Sequence, residues 1–261
     1  MSNSTVTLVS DREKAARKLT PAIPLVSARV SEELLVVPRP FRQRSAGESS
    51  SHPRLGTRID AWLGRALDIV GSHALLAFLL PVMVLLMIMI VASGNGPPVF
   101  AHRRVGRGGQ PFDCYKFRSM CRDAESRLEA VLAEDAALRR EWMQFHKLAN
   151  DPRVTRLGRI LRQTSLDELP QLFNVLRGDM SLVGPRPVVE DELERYGRFR
   201  SSYLSTKPGL TGLWQVTCRS ESTYRRRVAI DRVYAKRKSL LLDIRILLAT
   251  VPAVLSRKGA C

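Results

Sequence analysis

Hydrophobic and polar positions divide this chain into regions of different character. Through residue 57 no apolar period lasts long enough for a core helix, and Pro21, Pro24, Pro38, Pro40, Pro53 and a serine run at 49–51 interrupt the pattern. Residues 1–57 are therefore predicted to form a flexible tail, with Leu34 to Val37 as a short apolar patch able to dock. No uninterrupted apolar stretch follows Arg12, Lys14, Arg17 and Lys18, so a cleavable signal peptide is not expected. From Ala74 to Ala92 nineteen successive residues carry no charge. At about 1.5 Å per residue, such a helix matches the hydrocarbon thickness of a bilayer. Val82 to Val91 is apolar on every face, more than the single stripe a buried core helix needs, so a membrane-inserted helix is predicted within 58–95.

Pro81 lies near the middle of this run, where it removes a backbone donor and clashes with the preceding turn. Arg54, Arg58 and Arg65 precede the run, and Arg103, Arg104 and Arg107 follow it, so basic residues place both ends on the cytoplasmic side. A re-entrant helix-break-helix satisfies both features, and a kinked spanning helix is the alternative. Gly94, Gly96, Pro97 and Pro98 then stop the helix. Val99–Val105 and Phe112–Phe117 flank Gly106-Arg107-Gly108-Gly109 and predict a β-hairpin. Asp123 to Lys147 reads as a helix with Leu128, Val131, Leu132, Leu138 and Trp142 as its core stripe.

At the C-terminal end, Tyr224 to Lys238 is a basic helix. Leu240 to Leu255 is apolar but interrupted by Asp243, Arg245 and Pro252. That composition suits an amphipathic helix in the membrane interface, with Arg225, Arg226, Arg227, Lys236 and Lys238 drawn to anionic lipids. A solvated basic face is the alternative. The predicted fold class is α+β and mostly helical. The expected architecture is a monotopic membrane protein with a re-entrant helix-break-helix, a small β-hairpin and amphipathic interfacial helices, with residues 96–261 as its soluble, basic cytosolic domain.

Composition sharpens this picture. With 42 Lys and Arg against 25 Asp and Glu, the formal charge is +17, which points to anionic partners. A 44% hydrophobic content excludes a wholly disordered chain. Cys114, Cys121, Cys218 and Cys261 form neither a disulfide framework nor a zinc pair, and no two of the four histidines stand one helical turn apart. Any metal is therefore expected to be a hard, oxygen-ligated ion.

The chemistry concentrates between Asn150 and Pro187. Arg153, Arg156, Arg159 and Arg162 recur every third residue beside an apolar face of Val154, Leu157, Ile160 and Leu161, a pattern suited to a solvated surface or to phosphate groups. Ser165 and Glu168 have capping-box spacing, so capping the following helix competes with a catalytic role for Glu168. Asp167 and Glu168 are adjacent and point about 100° apart on a helix, so they can divide labour but not share a proton. One could attack or activate while the other binds a cation. Arg186, between Pro185 and Pro187, either holds its guanidinium fork toward a phosphate or is incidental to a surface turn.

These residues resemble the bacterial sugar transferase family, the monotopic polyprenyl-phosphate hexose-1-phosphate transferases. The resemblance covers roughly 60–261. It rests on Gly64-Arg65-Ala66-Leu67-Asp68, GPPVFAHRRVGRGGQPFDCYKFRSM at 96–120, the block at 150–187, KPGLTGLWQV at 207–216 and SLLLDIRILLATV at 239–251. The extension VVEDELERYG at 188–197 is most like rhizobial exopolysaccharide galactosyl phosphotransferases. The resemblance implies a re-entrant helix at the cytoplasmic face of the bacterial inner membrane and a covalent route in which UMP leaves as an aspartyl-phosphosugar forms and the polyprenyl phosphate then takes the sugar phosphate. Asp167 and Glu168 become the catalytic pair, with Glu168 as ligand of Mg²⁺, and Arg162, Arg186, Lys116 and Arg118 become substrate-binding residues. The implied partners are a UDP-hexose carrying galactose or glucose, undecaprenyl phosphate and an anionic lipid membrane, with no nucleic acid and with a homo-oligomer left open. Two positions depart from the common pattern: Leu80 stands where many members have Ser, and Lys238 where a Trp is common. The rival readings are a membrane-tethered basic nucleic-acid-binding protein, which lacks an interleaved aromatic-basic platform, and a scaffold. Both leave the carboxylate pair unexplained.

Overall fold

The computed structural model describes residues 55–145, 148, 150–217 and 223–255. The predicted tail up to residue 54, including Arg54 and the patch at Leu34, lies outside the described residues, as does the side chain of Arg58. Helix α1 spans Leu55–Ala92, so it begins inside the stretch read as tail. Among the described residues it is the one helix long and apolar enough to cross a membrane. It remains helical through Pro81, where the sequence predicts a break. Proline deprives one carbonyl of its partner, a local cost of about 3 kcal/mol, and packing on both sides of the residue opposes that cost.

Both halves of α1 rest on the rest of the molecule. In the first half, Arg65 donates to the carbonyls of Val175 (2.6 Å) and Leu176 (2.8 Å). Asp68, buried, accepts from Ser181 Oγ at 2.9 Å and from the Leu182 amide at 2.8 Å. In the second half, Met83, Leu86 and Ile90 form a core with Phe117 and Leu161, flanked by Leu157, Leu166 and Leu169. Burial of such side chains stabilises by roughly 1.5–3 kcal/mol each. The opposite face of α1 leaves Phe78, Leu85, Ile88 and Val91 exposed.

Strands β1 (Val99–Val105) and β2 (Pro111–Phe117) pair antiparallel, Val99 opposite Phe117 and Val105 opposite Pro111, through a turn in which Gly108 and Gly109 take positive φ. This is the predicted hairpin. The helix expected over 123–147 is two, α2 (Ala124–Glu134) and α3 (Ala136–Phe145). Asp135 divides them because its carboxylate accepts from the amides of Ala137 (2.7 Å) and Leu138 (3.1 Å) and starts a new helix. Arg139 donates to the carbonyls of Leu132 and Ala133 and so closes the end of α2. The expected core stripe is only half-buried.

Helix α4 (Arg156–Thr164) is capped by Thr155, whose hydroxyl accepts from the Gly158 amide at 2.9 Å. Leu161 is fully buried, but Ile160, expected on the apolar face, is 56% exposed, because Leu161 and Gly158 are the residues that meet the core. Gly158 lies against the Ser119 backbone, and a Cβ there would sit 1.9 Å from the Ser119 carbonyl oxygen. Gly158→Ala is therefore expected to lower stability by roughly 3 kcal/mol through overpacking. A reduced denaturation midpoint in detergent, against an unchanged midpoint for the exposed control Arg159→Ala, checks this.

After a 3₁₀ turn at Leu166–Glu168 come α5 (Gln171–Arg177), β3 (Ser181–Val183), α6 (Glu190–Glu194), α7 (Arg200–Leu204), β4 (Gly209–Thr211) and α8 (Leu213–Thr217). Strands β3 and β4 pair in parallel, Ser181 with Gly209 and Val183 with Thr211. Gly209 permits this approach, since a Cβ would lie 2.0 Å from the Gly184 nitrogen. Helix α9 (Tyr224–Arg237) buries Arg227, Val228, Ile230, Asp231 and Tyr234. Arg227 thus does not face lipid as expected. It stacks on Trp214 and lies 3.9 Å from Asp231, because the residue one turn on and the facing ring turn it inward. Helix α10 (Leu240–Leu255) buries Asp243 and Ile246 and exposes Leu241, Ile244, Leu248, Val251 and Val254, an outward apolar stripe at helical spacing.

Candidate active site

Chain connectivity brings three segments to one place: the 3₁₀ turn with Asp167 and Glu168, strand β2 with Lys116, and the Pro185-Arg186-Pro187 loop that follows β3. The turn is set by Ser165, which takes a left-handed φ of 58° and is the one non-glycine residue with positive φ among the described residues. Ser165 ends α4, and its side chain makes no capping bond, so the capping-box reading of Ser165 and Glu168 is not realised. A side chain in this conformation stores backbone strain directly beside the two carboxylates.

Lys116 Nζ lies 2.8 Å from Glu168 Oε1 and 3.9 Å from Asp167 Oδ2, so one ammonium serves both carboxylates. Arg186 Nη2 reaches the same Glu168 oxygen at 3.1 Å. The Arg186 loop is itself fastened: the Gly209 amide donates to the Pro185 carbonyl at 2.8 Å, and Arg227 donates to the Arg186 carbonyl at 3.3 Å. Arg104 approaches the Pro187 carbonyl at 3.5 Å and Glu192 at 3.8 Å. Arg162 donates through Nε to Ser119 Oγ at 3.0 Å, and its charge is felt at Asp167.

The two carboxyls are driven in opposite directions. Burial raises Asp167 above the usual aspartate range; Lys116 opposes that rise while the charge on Glu168 adds to it. Burial also favours a protonated Glu168, but Arg186 and Lys116 together outweigh it and hold the group well below the usual carboxylate range. Adjacent acids with separated affinities for the proton can take different chemical roles. Glu168 is held as an anion, and Asp167 is the more basic of the two carboxyls.

Of the residues singled out from sequence, Asp167, Glu168, Lys116 and Arg186 are together, and Arg162 stands beside them. Arg118 is not brought to the pair. Its Nε donates to the Pro97 carbonyl at 2.8 Å and its guanidinium lies over the Phe100 ring at 5.6 Å. Arg153 is also turned elsewhere, forked onto Asp151 and stacked on Trp142. Sequence reasoning missed Ser119, which holds Arg162, and Arg227, which holds the Arg186 backbone; their signals were tertiary partners, not spacing.

Among the described residues no group of three or more His, Cys, Asp or Glu could cage a metal ion. The donor set fits an oxygen-seeking ion of the Mg²⁺ type, which binds through one or two carboxylates and completes its shell with water and substrate phosphates. Glu168, held ionised, could serve as a protein ligand for such an ion.

The family model described as bacterial sugar transferase matches residues 59–257. The chain is 51% identical over 199 residues, 76% of its length, to a UDP-galactose-lipid carrier transferase of Erwinia amylovora, of which the match covers 42%. It is 51% identical over 206 residues, 79% of its length, to an undecaprenyl-phosphate galactose phosphotransferase of Salmonella typhimurium, of which 43% is covered. It is 44% identical over 196 residues, 75% of its length, to the exopolysaccharide production protein ExoY of Rhizobium meliloti, of which the match covers 87%. The chain thus spans about two fifths of the first two relatives and most of the third.

Proposed function

This chain belongs to the bacterial sugar transferase family, and from that premise we propose that it moves hexose-1-phosphate, galactose or glucose, from a UDP-hexose to undecaprenyl phosphate and releases UMP, the priming step of exopolysaccharide synthesis. The observation that carries this reading is the single Lys116 ammonium shared by two carboxylates of opposite tendency, with Arg186 on the second. An Asp167 oxygen attacks the phosphorus that bears the hexose. The bond from that phosphorus to the bridging oxygen of UMP breaks, leaving an aspartyl-phosphosugar. An oxygen of undecaprenyl phosphate then attacks the same phosphorus and restores the free carboxylate. Both substrates are anions, so the attack meets repulsion, which Lys116, Arg186 and Arg162 offset as fixed cations. Glu168 would hold Mg²⁺, which when bound supplies positive charge against the departing UMP. Release of UMP from UDP-galactose or UDP-glucose by purified protein with undecaprenyl phosphate and Mg²⁺ tests the reading; no release from either donor contradicts it.

The membrane arrangement belongs to the same proposal. A re-entrant α1 at the cytoplasmic face of the inner membrane is supported by its contacts: Arg65 and Asp68 near one end and Met83, Leu86 and Ile90 toward the other meet the same domain. A straight spanning helix would carry one of those ends across the bilayer. The outward apolar stripe of α10 supplies a second surface for lipid. Single cysteines at Asp60 and at Ser93, in a background without the four native cysteines, are expected to label from the same side. Opposite sidedness contradicts the re-entrant arrangement.

A further inference from the structure

The hairpin face that carries Lys116 extends beyond it. Register sets Phe100 opposite Lys116, His102 opposite Cys114 and Arg104 opposite Phe112, so these six side chains share one face of the pleat. Within that row His102 is half-buried, and its Nδ1 is shielded from solvent without a hydrogen-bond partner. The nearest aromatic neighbour, Phe100, lies 6.1 Å away between ring centroids and offers Nδ1 no ordinary partner. Burial, followed by the charges of Arg104 and Lys116, lowers the imidazole pKa from its ordinary value against the opposing pull of Glu192, which favours the neutral ring. An unpaired buried polar atom costs about 1–3 kcal/mol, and each one in a native protein calls for an explanation.

The position supplies one. Along β1, Phe100 lies closest to the end of α1, and Arg104 reaches the Pro187 carbonyl beside Arg186. His102 falls between them, on the same face as the lysine that touches both carboxylates and on the side of Lys116 away from the membrane helix. Lys116 and Arg104 are the cations whose charges act on the ring. A neutral imidazole between cations suits a group that can both donate and accept.

We propose that His102 is a donor-recognition residue whose ring turns out of its shielded position on donor binding, so that Nδ1 exchanges a hydrogen bond with a hydroxyl of the sugar nucleotide, on the hexose or on the ribose. The inference rests on the UDP-hexose reading given above. The orphaned atom gains its partner when the donor binds, and the energy otherwise lost on burying it becomes selectivity for a hydroxylated ligand.

Two substitutions separate this role from packing. His102→Phe keeps a ring against Phe100 and removes both nitrogens, whereas His102→Asn places an amide atom near the position of Nδ1. UMP release is measured against UDP-hexose concentration, with UMP as competing product. For His102→Phe the expected result is a KM raised about tenfold with kcat within about twofold, the pattern of lost ground-state binding. His102→Asn should retain a KM within about threefold of wild type. A hexose contact leaves the UMP inhibition constant unchanged in His102→Phe, and a ribose contact raises it in parallel with KM. Wild-type KM in His102→Phe, or equal damage in both variants, overturns the inference while leaving the reaction in place. A wild-type protein that releases no UMP from UDP-hexose overturns the donor reading itself, and this inference falls with it.

Discussion

Asp167→Asn is expected to abolish UMP release, with a loss of at least about a thousandfold, because it removes the attacking oxygen's charge and nucleophilicity while preserving its size. Folding should survive. Burial raises the Asp167 carboxyl above its ordinary value, so the folded state favours the protonated form. A group raised in this way stabilises the fold below its unfolded pKa, and that contribution is lost as pH rises through the folded value. Ionised Asp167 therefore weakens the fold at neutral pH, and the neutral amide relieves that cost. Loss of turnover with a melting temperature no lower than wild type, and with UMP affinity within about threefold, is the expected combination. Substantial turnover in Asp167→Asn would remove Asp167 from the nucleophile's role.

Lys116→Met is the second large effect. Its ammonium opposes the upward push on Asp167 and holds Glu168 ionised, so both carboxyls rise when it is removed. The expected fall in kcat/KM is about 10²- to 10³-fold, the scale for losing one preorganised electrostatic partner of a transition state. The pH profile distinguishes this from misfolding. Attack needs the ionised form of Asp167, so the acid limb of kcat/KM, which reports the free enzyme, should move to higher pH in Lys116→Met. A depressed rate with an unmoved acid limb would show that Lys116 acts on substrate alone.

The parts of this molecule legible in its sequence are those governed by local pattern. Alternating residues around a glycine-rich turn predict the hairpin at Val99–Val105, and the uncharged run from Ala74 predicts the apolar part of α1. Asp167 and Glu168 stand out as adjacent acids among arginines, but their division of labour depends on Lys116, 52 residues earlier than Glu168, and on Arg186. Capping-box spacing fits Glu168 equally well until those partners are known. Continuity through Pro81, the break at Asp135 and the inward turn of Arg227 each depend on contacts that periodicity does not register. Arg118 shares a motif with Lys116 but lies one residue past the end of β2, where the pleat no longer sets its direction and its guanidinium turns to the Pro97 carbonyl.

The central claim is that the chain itself carries the sugar phosphate between donor and acceptor, and isotope exchange tests it most directly. Purified protein with UDP-hexose, Mg²⁺ and labelled UMP, in the strict absence of undecaprenyl phosphate, is predicted to move label into UDP-hexose, because the aspartyl-phosphosugar forms and reverses without an acceptor. Asp167→Asn should show none of this exchange. Brisk complete turnover with undecaprenyl phosphate but no exchange in its absence would contradict the covalent route and require direct transfer between the two bound substrates.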